Sequence, residues 1–174
     1  GSVPAPTAPG PALQPPQPRP DAPAYGLRGP YAVGVRDFVI DTPERQIPVS
    51  VWYPALKPEG ATEGVTYTMN FIPDPTTGFP TGGNALPDAA LDASGGAYPL
   101  VLYSHGAWCF PAIAGFFTEH LASHGFVVMA PIHEDNWGTM GESTYKSEIR
   151  RPQDMARSLD FAEELTASGG ALAG

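Results

Sequence analysis

The chain has 174 residues, a formal net charge of −9 and 42% hydrophobic residues, enough for one domain and too few for two of ordinary size. The acidity and the lack of any basic cluster exclude a reader of the nucleic-acid phosphate backbone. No apolar run approaches the roughly 18 residues of a membrane span, and the lone Cys109 excludes an internal disulfide or a thiolate metal cluster.

Residues 1–29 are rich in Pro and Ala and cannot bury enough apolar surface to offset the cost of ordering. They are expected to form a disordered, polyproline-like linker. Gly1-Ser2 reads as an expression scar, so a leader is expected to have been removed ahead of it. A spacer after a leader suggests a secreted or envelope-tethered bacterial protein, while a neutral interdomain linker fits the composition equally well.

The folded domain is expected over residues 30–174. Tyr31 to Ile40 and Ile47 to Tyr53 alternate as strands. In the second, Val49, Val51 and Tyr53 share one face, and Ser50 and Trp52 the other. Asp41-Thr42-Pro43 between them is turn chemistry, which predicts an antiparallel hairpin at the edge of a sheet. Residues 55–97 are rich in Gly, Pro, Thr and Asp with no sustained period, and read as a long irregular excursion.

Tyr98 to Tyr103 is a short apolar strand, and Phe126 to Ile132 is a second. Between them, a helix is predicted from Pro111 to Ser123, with Ile113, Phe116, Phe117 and Leu121 at helical spacing on the buried side. Pro111 fits the first turn and Gly125 a left-handed stop. This strand–helix–strand order implies a parallel pair in an α/β sheet, where ligands bind beyond the carboxyl ends of the strands. A last helix is predicted from Pro152 to Leu165.

Ser104-His105-Gly106-Ala107 leaves the first of these parallel strands, so chemistry is sought there. Acyl transfer needs backbone N–H groups aimed at a developing oxyanion. Gly106 admits a ligand close to the backbone, and the Ala107 N–H is the candidate donor. His105 is read as orienting this turn rather than acting as a base. An ordinary βα turn is the competing reading. Trp108, Phe110 and Trp137 fall in loops at the same sheet edge and could wall an apolar substrate pocket; core packing competes for them.

No G-x-S-x-G elbow occurs, and Asp92-Ala93-Ser94-Gly95-Gly96 follows no strand. Ser104 is expected to tie down the turn through a backbone hydrogen bond. Cys109 is read as an idle thiol near a helix start. His120 is expected to be interfacial or exposed, and His124 to satisfy carbonyls at its helix end. His133-Glu134-Asp135 reads as a polar loop, because adjacent residues converge poorly on one ion. No metal and no cofactor are expected.

Tyr103-Ser104-His105-Gly106, the run Leu121 to Val128, and Pro131-Ile132-His133 resemble α/β-hydrolases related to platelet-activating-factor acetylhydrolase. Bacterial lipases and polyester-cleaving esterases are more distant relatives. Gly29 to Gly34 and Val51 to Pro54 match that family's opening strands, and Arg151 to Asp160 resembles the helix before its nucleophile strand. The resemblance implies the N-terminal portion of an α/β-hydrolase fold: an edge hairpin, then parallel strands with crossover helices. It implies a serine esterase with one oxyanion N–H from Ala107. The nucleophile, acid and histidine would follow beyond residue 174, on a C-terminal half supplied as a partner. Alone, these residues are expected to be inactive and to leave Phe116 and Phe117 uncovered. The alternatives are a catalytically dead binding or structural domain on this scaffold, and a dienelactone-type hydrolase with a cysteine nucleophile.

Overall fold

The computed structural model describes residues 21, 23–70, 78–106, 109–133 and 143–173. Its centre is a five-stranded mixed sheet. β1 (Ala32–Asp41) and β2 (Gln46–Ala55) form a long antiparallel hairpin, from Ala32 opposite Ala55 to Asp41 opposite Gln46. β3 (Val65–Asn70) and β4 (Gly78–Gly83) make a separate two-stranded sheet. β5 (Leu86–Pro87) runs parallel to β1. β6 (Leu100–Leu102) and β7 (Val127–Pro131) are parallel, and α1 (Gly115–Ser123) lies between them in the chain. α2 (Ser143–Thr166) follows. The strand order is β5-β1-β2-β7-β6, with β2 and β7 antiparallel.

The alternation in β2 sorts its side chains as the sequence predicts. Val49, Val51 and Tyr53 join Ile40, Ile47, Met129, Ala162 and Leu165 in a core under α2. Trp52 joins Val33, Val35, Val128, Ala130 and Ala122 in a second core under α1. Both faces of the sheet are therefore covered, as a central strand with so few polar residues requires. Gly125 ends α1 with φ of 88°, the left-handed geometry that a glycine adopts without strain.

Several expectations need correction. The hairpin does not form the sheet edge: β5 flanks β1, and β7 flanks β2. The passage 55–97 is not irregular throughout, because β3 and β4 pair across it from Val65 opposite Gly83 to Asn70 opposite Gly78. The linker does not extend through residue 29. Tyr25 and Leu27 offer their carbonyls to the Nε2 atoms of His120 and His124, at 2.8 and 2.9 Å. The Gly29 N–H donates to Ser123 Oγ at 2.9 Å. His124 thus spends its ring on this segment and not on the end of its own helix.

The helix faces differ most. Pro111–Ala114 is a short 3-10 turn leading into α1. Phe116 is 81% exposed, and Ile113 and Phe117 are also exposed. The buried side of α1 is instead small and polar: Gly115, Thr118, Glu119, Ala122 and Ser123. Glu119 can be buried because its carboxylate is satisfied. Oε1 accepts from the Tyr67 hydroxyl at 2.7 Å and Oε2 from the Asn84 N–H at 2.9 Å, and a buried charge with such partners avoids most of its desolvation cost. α2 begins nine residues before Pro152, which lies inside it. Of the nine residues ahead of Pro152 only Tyr145 and Ile149 are apolar, too few for periodicity to reveal the helix.

Candidate active site

Two loops leave the carboxyl ends of the parallel strands β6 and β7 side by side. Tyr103 N–H donates to Met129 O at 2.9 Å and Ile132 N–H to Pro48 O at 2.8 Å, so main-chain pairing runs almost to the turn on each. Ser104 then stands exposed, His105 is buried, and Gly106 is exposed. On the other loop His133 is only 1% exposed.

His105 joins the two loops. Its Nε2 accepts the backbone N–H of His133 at 3.1 Å. The proton therefore sits on Nδ1, which donates to the Gly106 carbonyl at 2.9 Å. Burial pushes its pKa down to about 4, against the Gly106 hydrogen bond and with help from the charges of His133 and Arg151. A neutral ring with both nitrogens engaged is a brace and not a base. From α2, Arg151 donates to the His105 carbonyl at 2.6 Å and lies 3.5 Å from the Gly106 carbonyl.

Ser104 does not bond to backbone as expected. Its Oγ lies 2.9 Å from His133 Nε2. His133 Nδ1 lies 2.9 Å from Asp154 Oδ2, and Asp154 Oδ1 accepts from Arg45 at 2.5 Å. His133 is accordingly no member of a solvated polar loop. Burial raises the Asp154 pKa, but hydrogen bonds and charges from His133 and Arg45 outweigh it, and the carboxyl ends below its ordinary value. An ionised Asp154 takes the Nδ1–H of His133. That leaves the Nε2 lone pair to accept the Ser104 hydroxyl proton. Four residues from four parts of the chain thus form one line from a buried guanidinium to an exposed hydroxyl. The sequence shows no sign of it, because Asp154 sits among polar helix residues 21 positions past His133.

Of the other anticipated site residues, Phe110 is half-buried. With Pro111, Ile132, Val39 and Tyr67 it lines a groove of about 770 Å³. Ala107, Trp108 and Trp137 lie outside the described residues. Cys109 is a half-buried thiol. Among the described residues no group of three His, Cys, Asp or Glu side chains could hold a metal ion, and no helix is long and apolar enough to cross a membrane. Among the described residues β6 is paired on one side only, to β7. Beside it an apolar cavity of about 460 Å³ opens between Leu100, Val127, Met129, Leu159, Ala162 and Leu165.

Comparison with known proteins bears on the fold that carries these residues. Residues 80–161 match the family of platelet-activating factor acetylhydrolase, isoform II. The stretch holds β6, α1, β7 and the first 19 of the 24 residues of α2, and with it Ser104, His105, His133 and Asp154. A comparison with curated protein sequences returns no match. The backbone superposes on a ferulic acid esterase from Streptomyces cinnamoneus with a TM-score of 0.54 at 20% identity. The match covers 86% of this chain and 50% of that one, so the chain spans half the length of that esterase. The fold is that of an α/β-hydrolase-like esterase, and residues 80–161 are similar to the platelet-activating-factor acetylhydrolase family.

Proposed function

We propose that the chain is the N-terminal portion of a serine carboxylic-ester hydrolase that works through an acyl-enzyme. The observation that carries this reading is the turn after β6. The His105 and Gly106 carbonyls are both engaged, by Arg151 and by the His105 ring. A trans peptide sets its N–H opposite its carbonyl, so this arrangement favours an amide of the turn facing the site. The Ala107 N–H is assigned that role, with His105 and Gly106 shaping the turn around it. There it would stabilise the negative charge that grows on the substrate carbonyl oxygen. Trp108, Phe110 and Trp137 are assigned to the substrate pocket.

The nucleophile, acid and histidine of turnover are assigned to polypeptide beyond residue 174, the C-terminal half of the same hydrolase. Three features support such a partner. The chain matches half of the esterase chain, β6 pairs on one side only among the described residues, and Phe116, Phe117, Ile113 and Leu159 remain exposed. Without that half no turnover is expected. The Pro-rich first residues fit an exported or envelope-tethered protein.

Combining the chain with the remaining half and assaying p-nitrophenyl acetate tests this directly. A burst of nitrophenol equal to the associated protein, followed by slower turnover, is the expected result. Absence of both burst and turnover, with the halves shown to associate, overturns the reading.

A further inference from the structure

The line from Arg45 to Ser104 has the parts of a nucleophilic relay complete within this chain. A hydroxyl nucleophile needs a base within hydrogen-bond reach, and the base needs a third group to orient it. Ser104 Oγ is 2.9 Å from His133 Nε2, and His133 Nδ1 is 2.9 Å from Asp154 Oδ2. Such a constellation is recognised by geometry and role rather than by order in the chain. Arg45 does not compete with the imidazole, because it takes Oδ1 and leaves Oδ2 to His133. The base end is buried, with His133 and Asp154 each 1% exposed, while Ser104 is an exposed residue at the surface end of the line. The relay also stands at the carboxyl end of β6, beside the turn assigned to the oxyanion.

We propose that Ser104 is a resident acyl acceptor, activated by His133 and Asp154, and separate from the downstream serine that carries turnover. Its ligand class is a small activated acyl or phosphonyl donor, such as an aryl ester or a fluorophosphonate. With an ester, Oγ bonds to the carbonyl carbon as its proton passes to His133 Nε2. The tetrahedral intermediate then collapses, the C–O bond to the leaving group breaks, and that oxygen takes the proton from Nε2. Ser104 is left as an ester and His133 is neutral again. Each chain carries one such hydroxyl, so the modification stops at one per chain. This goes beyond the proposed function, which assigns Ser104 no chemistry.

The test is covalent labelling with a fluorophosphonate, in which Oγ displaces fluoride from phosphorus. It is run on the completed protein with the downstream nucleophile changed to alanine, and peptide mass spectrometry locates the adduct. One adduct per chain on the peptide carrying Ser104 is expected, and none in Ser104→Ala, whose exposed site leaves folding intact. His133→Gln should slow labelling on the order of 100-fold. To exclude unfolding as the cause, the variant's near-ultraviolet circular dichroism must match the parent's. Absence of a Ser104 adduct in folded protein overturns the proposal, as does equal labelling in folded His133→Gln. The outcome is independent of the ester-hydrolysis assay, since a missing downstream serine would leave the Ser104 adduct unchanged.

Discussion

Two polar lines run through this protein and end differently. On the α1 side of the sheet, Trp52 Nε1–H donates to Tyr67 OH at 2.8 Å, Tyr67 donates to Glu119, and Glu119 accepts again from the Asn84 N–H. Burial, against the Trp52 hydrogen bond and with the Glu119 contact, raises the Tyr67 pKa. Every end of that line is closed by protein, and its effect is to tie the β3–β4 sheet to α1 and β2. The line through Arg45, Asp154, His133 and Ser104 has the same ingredients, a buried carboxylate and its donors, yet one end is an exposed hydroxyl. A closed line can only hold the fold together. An open one can also pass a proton to something that arrives from solvent.

Three changes sharpen that contrast. The largest effect is expected from Asp154→Ala, which strands Arg45 and the Nδ1–H of His133 in a buried place. Breaking a buried ion pair from one side costs about 3–5 kcal/mol, to be read from denaturant unfolding of the completed protein. An unchanged midpoint would mean that the line carries no structural weight. Second comes acidification. His105 is held neutral, its pKa about 4 against an ordinary 6.5, so the unfolded chain binds the extra proton first. Stability from this group is complete above about pH 6.5 and is lost as pH falls toward 4, by about 3 kcal/mol. Unfolding midpoints across that window check the sign, and His105→Gln should flatten the curve. Smallest is Glu119→Gln, which keeps the shape but sets an amide hydrogen against the Asn84 N–H or the Tyr67 hydroxyl. About 1–2 kcal/mol should be lost, with Ser104 labelling unaltered. Altered labelling would show that the two lines communicate.

The parallel pair β6–β7 and the turn between β6 and α1 were legible because apolar runs, a proline and two glycines mark their limits locally. The α1 face was not. Phe116 and Phe117 suggest burial to any hydrophobic count, whereas Thr118 and Glu119 lie inward only because Tyr67 and Asn84, far off in sequence, meet them there. The β3–β4 sheet was hidden for a related reason: a Thr-rich strand pairs with one containing Pro and several glycines, so neither looks apolar by itself. Within the candidate site, the sequence singled out the turn after β6 but not the side-chain line beside it. His133 gained its meaning from Asp154, and the residues between them carry no pattern that links the two.

His105 places a constraint on how this region can vary. One imidazole spans the exits of two neighbouring strands, with Nε2 on the His133 N–H and Nδ1 on the Gly106 carbonyl. Neither exit can shift alone without breaking a contact of a ring that has no spare nitrogen. Insertions and deletions at these two corners should therefore be tolerated only in matched pairs, so that the two corners vary as one unit.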